Sequence, residues 1–318
     1  MVGIKDIAKE AGVSISTVSY ALNGSPKVTE ATRARIQAIA DDLNYVPNMA
    51  ARTLKRQQTN IIGVYLSNYG GAFYGDLLEG IKRGLELNGY EMIVCNGKKS
   101  HLFIPERMID GGIILNWEFK REEILNYSDR GYHLVVLDRD LNDTKIPSVL
   151  LDNRGGATLG TQQFIEAKSK SVHIISGPPE SNDAIERLEA SKRELDLYGV
   201  RYTVYNGDFT RESGYEAAKK IMSSFEETPV DIFALNDEMA VGVYQYIEGT
   251  KYIIGKDIRI IGFDNSNLSE IIRPRLATIS YSKHRWGMLA ADTLVKLIRG
   301  EETSNELIYT TFLSGESF

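Results

Sequence analysis

Gly12-Val13-Ser14-Ile15-Ser16-Thr17-Val18-Ser19-Tyr20 is the stretch on which the reading of this chain turns. Gly12 supplies the positive φ that a sharp turn needs. Ser14 stands where a helix N-cap would, ahead of a short helical run from Ile15 to about Asn23. Upstream, Ile4, Ile7, Ala8 and Ala11 fall at helical spacing behind Gly3, a weaker cap. Downstream, Thr29 caps a third helix, Glu30 to about Asn44, with Ile36, Ile39, Ala40 and Leu43 as its stripe and Pro47 as its stop. Ala8, Gly12 and Val18 are the skeleton of a helix-turn-helix: a small residue at the crossing, a glycine in the turn, a branched residue in the angle. With Val18 and Leu22 facing inward, Ile15, Ser16, Thr17, Ser19, Tyr20 and Asn23 are left outward. Small hydroxyls, an aromatic and an amide suit phosphate oxygens and base edges. The plainer alternative is three helices packed for stability alone.

Charge helps to separate the two. The 318 residues carry a net −6, which averages over an uneven distribution. Through Asn60 there are eight Lys/Arg and five Asp/Glu, a balance of +3, and the remainder is −9. A basic head on an acidic body is the footprint of a small DNA-reading module carried by a larger domain. Apolar residues are 42% and charged residues 25%, a globular composition with room for more than one core. No apolar run reaches the ~18–20 residues of a membrane span. The N-terminus has no secretory h-region. The one cysteine, Cys95, excludes an internal disulfide framework and suits a buried strand. The expected compartment is the cytoplasm.

From Ile61 the pattern changes to apolar runs alternating with amphipathic helices. Expected strands are Ile61 to Leu66, Met92 to Cys95, Gly111 to Leu115, His133 to Leu137, Ser148 to Leu151, Val172 to Ser176, Tyr202 to Tyr205, Asp231 to Leu235 and Ile258 to Phe263, with a last strand-like run from Leu307 to Leu313. Expected helices are Phe73 to Asn88, Gly155 to Ile165, Asp183 to Tyr198, Arg211 to Ser223, Glu238 to Ile247 and Lys283 to Arg299. The alternation predicts an α/β core with parallel sheets covered on both faces, and so many strands suggest two sheets, with a break near Asn153. Ligands gather at the carboxyl ends of such strands. Those ends are polar here: Asn68, Asp138-Arg139, Asp152-Asn153, Asn236-Asp237 and Asp264-Asn265. Carboxylates and amides pair with sugar hydroxyls, and Phe73, Tyr74 and Phe209 offer faces to a pyranose. Any one of these residues could equally be a helix cap.

Three blocks of the head, Ile4-Lys5-Asp6-Ile7-Ala8 with Val13-Ser14, Thr17-Val18-Ser19 with Leu22-Asn23-Gly24, and Leu43-Asn44-Tyr45-Val46-Pro47-Asn48 with Ala51-Arg52 and Leu54, resemble the LacI/GalR family. So do Gly207-Asp208-Phe209, Asn236-Asp237-Glu238-Met239-Ala240-Val241-Gly242 and Ile258-Arg259-Ile260-Ile261-Gly262-Phe263-Asp264 in the body, and the resemblance covers nearly the whole chain. It implies an all-α helix-turn-helix head (1–47), a hinge helix and linker (48–60), and a two-subdomain, periplasmic-binding-protein-like core (61–318). It implies a homodimeric repressor of carbohydrate genes that binds operator double-stranded DNA and answers to a small sugar or sugar-phosphate. The DNA contacts would be Ser14, Ile15, Ser16, Thr17, Ser19, Tyr20 and Asn23 in the head, with Asn48, Ala51 and Leu54 in the hinge. Leu54 matches a residue wedged into the minor groove, where an apolar side chain unstacks a base step. Many family members have Arg or His where Tyr20 stands, so their usual half-site is not expected here.

By the same resemblance, Arg187, Asn236 and Asp264 would hold sugar hydroxyls, with Phe73, Asp138 and Phe209 lining the cleft, and the Phe73–Asn88 helix would join the dimer surface. The stretch around Ile272-Arg273-Pro274 resembles the catabolite-control branch of the family, whose corepressor is a serine-phosphorylated phosphocarrier protein. On that alternative Arg273 contacts the partner; a surface arginine beside a turn proline is the preferred reading. Two departures stand out. Asn96 to Asp110 is too short for a full helix, with Pro105 limiting it further. No heptad tail follows Leu313, so a dimer rather than a tetramer is expected. No Gly-x-Ser-x-Gly elbow, Walker loop, His-Glu-x-x-His or Cys-rich metal site occurs, so neither enzyme activity, metal nor cofactor is expected.

Overall fold

A computed structural model describes residues 2–46, 58–71, 73–225 and 227–318. The chain divides into two compact units, Met1–Thr59 and Asn60–Phe318.

The first unit has three helices, α1 (Ile4–Ala11), α2 (Ile15–Leu22) and α3 (Glu30–Asp42). Gly12 has φ 64°, and the Val13 N–H reaches back to the Ala8 carbonyl at 3.1 Å, closing α1 in a left-handed cap. Gly3 has no side chain to cap with, and instead its own N–H donates to the Asp6 carboxylate at 2.8 Å. Ser14 Oγ accepts the Thr17 N–H at 3.1 Å and caps α2. Thr29 caps α3 in the same way. Asn44, at φ 49°, ends α3 before Pro47, which lies outside the described residues. Ile7, Val18 and Ile36 are fully buried, with Ala8, Ala11, Ala21 and Ala40 letting the helices approach. Ala21 joins Val18 on the inner face of α2, and Leu22, half-buried, packs against the same core as expected. The Arg35 guanidinium donates to the Ala11 carbonyl at 3.1 Å, placing a cation at the carboxyl end of α1.

The second unit has two lobes. Lobe 1 is built on a parallel sheet of order β2-β1-β3-β4, from β1 (Ile61–Leu66), β2 (Glu91–Cys95), β3 (Gly111–Leu115) and β4 (His133–Val136). Its helices are α4 (Tyr74–Glu86) and α5 (Arg121–Asp129). After β5 (Val149–Leu151) the chain enters lobe 2 through α6 (Asn153–Glu166), β6 (Ser171–Ser176), α7 (Asn182–Leu197), β7 (Arg201–Asn206), α8 (Arg211–Ser224), β8 (Val230–Ala234), α9 (Asp237–Glu248), β9 (Ile258–Phe263), α10 (Asn267–Ile271) and β10 (Ala277–Ser280). It then returns to lobe 1 as α11 (Lys283–Ile298), which packs along α4 and against β3 and β4. It finishes with β11 (Glu306–Ile308) and β12 (Thr311–Leu313). Lobe 2 has the order β12-β10-β9-β8-β6-β7, and only β12 runs antiparallel. β5 and β11 pair with each other as a two-stranded ribbon at the waist between the lobes. Three chain crossings therefore connect two sheets, a layout that permits hinged closure.

The α/β class and the parallel sheets are as expected, and several elements differ. β5 is a strand of neither main sheet, Ser148 before it making a single bridge to Val136 of β4, and the single run expected from Leu307 to Leu313 is two short strands serving different partners. A break at Tyr309-Thr310 lets it leave the waist and reach lobe 2. α5, α10 and β10 are additions, and α5 escapes a periodicity reading because REEILNYSD buries little beyond Ile124 and Tyr127. Between Cys95 and Gly111 the chain makes only a 3-10 helix, Lys98–Phe103, as its length allows. The α4–α11 pairing depends on glycine. A Cβ on Gly80 would stand 2.1 Å from the His284 carbonyl oxygen, and one on Gly287 would stand 2.2 Å from that of Leu77.

Candidate functional site

Where the lobes face each other, the segments leaving the carboxyl ends of β1, β3, β4, β6, β7, β8 and β9 enclose a cavity of about 530 Å³. Phe73, Asp138, Arg187, Phe209, Asn236 and Asp264 all line it. Phe73 and Asp138 come from lobe 1 and the other four from lobe 2. Tyr74 and Asn68 also border the cavity. Trp117, Asp183, Arg211 and Glu238 are wall residues that sequence reasoning missed. A positional signal existed for Trp117, which follows the end of β3 by two residues, just as Asn68 and Asp138 follow β1 and β4 by two. Asp183 sits in the first turn of α7 behind its Ser181 cap, and could have been read only as a helix-start acid.

Arg187 organises the lobe 2 wall. Its side chain is buried, with Nε donating to Asn153 Oδ1 at 2.8 Å and Nη1 to the Leu235 carbonyl at 2.7 Å. Nη1 also lies 3.4 Å from Asp264 Oδ1, and the guanidinium lies 3.7 Å from the centre of the Phe263 ring. Asp264 has φ 115°, a strained value for a side-chain-bearing residue. Its conformation is held by its N–H donating to the Ile279 carbonyl at 2.8 Å, by the Tyr281 hydroxyl donating to Oδ1 at 2.8 Å, and by Lys283 Nζ donating to its main-chain carbonyl. Asp237, beneath, accepts from the Ser266 N–H at 2.7 Å and the Thr278 hydroxyl at 2.6 Å, fixing the loop after β9. Phe209 has φ 68°, and Asn236 Nδ2 donates to its carbonyl at 3.0 Å. Asn236 Oδ1 caps α9 through the Met239 N–H at 2.9 Å, so it is both a cap and a wall residue.

The wall is acidic. Burial pushes the Asp138 carboxyl up to about 7, with Arg139 opposing the rise and Asp183 adding to it. Asp138 Oδ2 pairs with Arg139 Nη1 at 2.6 Å, while the buried Oδ1 has no partner among the described residues. Burial also raises Asp183, against the pull of Arg187 and a 2.7 Å hydrogen bond from Asn153. Burial raises Asp264, with Arg187 and Lys283 opposing. Tyr74 is raised to about 12 by burial, then by Asp183 and Asp264. Among the described residues, no group of three or more His, Cys, Asp or Glu could hold a metal ion. No described helix is long and apolar enough to cross a membrane.

On the head, Ser14, Ile15, Ser16 and Asn23 are exposed, and Thr17, Ser19 and Tyr20 are half-buried. Ile15 is 47% exposed, so it adds nothing to the head core and is free to meet another surface. Ser14 Oγ lies 2.7 Å from Ser16 Oγ and 2.8 Å from Thr17 Oγ1, a hydroxyl cluster at the amino end of α2. Asn23 Nδ2 donates to the Ser19 carbonyl at 2.6 Å, which occupies one of its two amide protons. Lys27 Nζ lies 5.1 Å from the Tyr20 ring centre. Asn48, Ala51 and Leu54 lie outside the described residues. Arg273 is exposed, and its Nη1 turns back onto the carbonyls of Glu270, Ile271 and Ile272 at 2.6, 3.2 and 2.9 Å. It caps the carboxyl end of α10, as a surface arginine would.

Comparison with known proteins places these features in a family. Residues 3–48 match the model for bacterial regulatory proteins of the lacI family, and residues 161–318 match a periplasmic binding protein-like domain. The ribose operon repressor of Escherichia coli K12 is 32% identical over 312 residues, spanning 94% of this chain and 93% of that protein. A probable HTH-type transcriptional repressor, ExuR, of Bacillus subtilis is 30% identical, spanning 97% and 95%. The crystal structure of a sugar-binding transcriptional regulator of the LacI family from Enterococcus faecalis is 60% identical with a TM-score of 0.79, covering 83% of this chain and 99% of that one.

Proposed function

The chain belongs to the LacI family of bacterial regulatory proteins, and on that premise we propose that it is a homodimeric repressor of carbohydrate-metabolism genes whose grip on operator DNA is controlled by a small sugar bound between its lobes. The cavity between the lobes is the observation that carries the reading. It gathers carboxylates, an amide and a guanidinium with the aromatic faces of Phe73, Trp117 and Phe209, which is the chemistry of a sugar site. The sugar-binding regulator from Enterococcus faecalis, 60% identical, supports it.

In the head, α2 enters the major groove with Ile15, Ser16 and Tyr20 toward base edges. Ser14, Thr17 and Ser19, with the amino end of α2, hold phosphates. Asn48, Ala51 and Leu54 form the hinge contact, with Leu54 as a wedge in the minor groove. A single small head makes too few contacts for a specific site, so two heads read a pseudo-palindrome. The sugar acts by binding one degree of lobe closure more tightly than another.

Selection of duplexes from a random-sequence library by the full-length protein tests the reading. A two-fold site should emerge, its affinity should fall steeply with salt, and at least one sugar from a mono- and disaccharide panel should change that affinity. Failure to enrich any sequence, or a flat salt response, defeats the DNA half. A panel in which no sugar raises the thermal transition of the core defeats the effector half.

A further inference from the structure

We propose that the cleft takes an uncharged, unphosphorylated carbohydrate, and that Asp138 and Asp183, facing each other from the two lobes, exclude anionic sugars. The inference rests on the sugar reading above and narrows the ligand class.

The balance of charge on the wall is one-sided. On the lining, Asp138, Asp183, Asp208, Glu238 and Asp264 stand against Arg187 and Arg211, a formal −3, which Arg139, paired with Asp138 behind the wall, reduces to −2. Both lining cations are engaged by the protein itself. Arg187 serves Asn153, the Leu235 carbonyl and Asp264. Arg211 Nε lies 2.6 Å from Glu238 Oε2. The nearby Lys283 donates to the main-chain carbonyls of Asp264 and Asn265. A phosphate or carboxylate entering the cavity therefore meets, among the described residues that line it, no cation that is not already paired.

One feature pulls the other way. α7, α8 and α9 begin at the cavity, and helix amino ends attract anions. Each of these ends already carries its own acid in the first turn, namely Asp183 on α7, Glu212 on α8, and Asp237 and Glu238 on α9. The dipoles are satisfied by side chains, so the net repulsion decides. What the wall offers instead is acceptors. Asp138 Oδ1 is buried in an 8%-exposed residue without a donor among the described residues, and a second cavity of about 240 Å³ shares Asp138 and Asp183 with the first. A ligand hydroxyl supplies the missing donor, and a fully ionised phosphate or carboxylate oxygen cannot.

Titration of the full-length chain with matched ligands tests this, read by tryptophan fluorescence and thermal shift. The probes are neutral mono- and disaccharides, the 6-phosphates of the hexoses among them, and the corresponding uronic acids. A neutral sugar should bind, with its 6-phosphate and its uronate weaker by about 100-fold or more. The Asp138→Asn/Asp183→Asn variant, checked for folding by circular dichroism, should narrow that ratio at least tenfold. A 6-phosphate or uronate that binds as tightly as its parent overturns the inference and leaves the sugar reading standing. An unchanged ratio in the double variant overturns the role given to the two aspartates. Absence of binding by every carbohydrate, charged or not, overturns the sugar reading and this inference with it.

Discussion

Arg187→Ala is the substitution that asks most of the cleft. It deletes three hydrogen bonds, to Asn153, Leu235 and Asp264, and a cation face stacked on Phe263. Each charged hydrogen bond is worth about 1.5–3 kcal/mol and the buried stack about 2. Their sum overshoots, because Asp264 has an escape. Its pKa is already raised by burial and held down mainly by Arg187. Without that guanidinium its pKa rises further, with Lys283 and Tyr281 still opposing, at about 1.36 kcal/mol for each unit of rise. The expected loss is therefore that of breaking a buried pair, about 3–5 kcal/mol, or a fall of roughly 6–15 °C in the thermal transition of a core this size.

The pH dependence has a definite sign. Asp264 holds its proton longer in the folded state than in the unfolded one, so the folded chain binds more protons and stability falls as pH rises from about 4 through the folded pKa. In Arg187→Ala that folded pKa is higher still. The deficit is then smaller toward pH 5, where more of the Asp264 carboxyl is protonated, and larger at pH 8. Calorimetry of both proteins at the two pH values measures it. The pair can also be replaced whole: Arg187→Met/Asp264→Leu removes both partners, leaves Asp183 as the buried acid that still loses Arg187, and should regain part of the loss. A deficit below about 1 kcal/mol, or one identical at pH 5 and pH 8, refutes the assignment of Arg187 as counter-ion to Asp264.

Gly80→Ala drives a methyl into the His284 carbonyl and should cost about 3 kcal/mol by overpacking, read as an earlier thermal transition; an unchanged transition would mean that α4 and α11 are not in such close contact. Ligand-induced fluorescence change should vanish in Trp117→Phe and survive in a Trp286→Phe variant, since Trp117 borders the cavity while Trp286 is fully buried with its Nε1 donating to the Val149 carbonyl at 2.7 Å. Leu54→Ala should weaken operator binding by about 2 kcal/mol or more with no change in core stability, measured by anisotropy titration; undiminished affinity removes the wedge.

The head was legible because its determinants are local. Gly12, Ser14 and Thr29 act within three residues of themselves, and the stripe of Ile4, Ile7 and Ala8 repeats at helical spacing. The cleft was legible where a residue ends a long apolar strand, as Asp138, Asn236 and Asp264 do. Legibility stopped where identity depends on a distant partner. β10 is four residues whose strand character comes from pairing with β9 and β12. β5 and β11 define a strand pair only through each other, more than a hundred residues apart in sequence. Asp183 looks like any helix-start acid until lobe 1 brings Asp138 opposite it. The return of α11 to lobe 1 depends on Gly80 and Gly287 removing side chains at one crossing, which no periodicity registers.

The distribution of wall residues between the lobes bears on how a bound sugar could act as a switch. A ligand shifts an equilibrium only by its differential affinity, and moving a population from 1:99 to 99:1 takes about 5.5 kcal/mol. Lobe 2 supplies most of the fixed polar groups: Arg187, Asn236 and Asp264 are locked by hydrogen bonds internal to that lobe or its crossings. Contacts to such a preformed wall are available whether the lobes are near or apart, so they set affinity and do little to shift closure. Lobe 1 contributes Phe73, Trp117 and Asp138, whose Oδ1 still lacks a donor among the described residues. A ligand already held on lobe 2 reaches these groups only when the lobes approach. A charged hydrogen bond to Asp138 at about 1.5–3 kcal/mol, together with burial of two aromatic faces, reaches the required figure. On the proposed function, a ligand held on lobe 2 draws its switching free energy from lobe 1, and one that touches lobe 2 alone should bind without signalling.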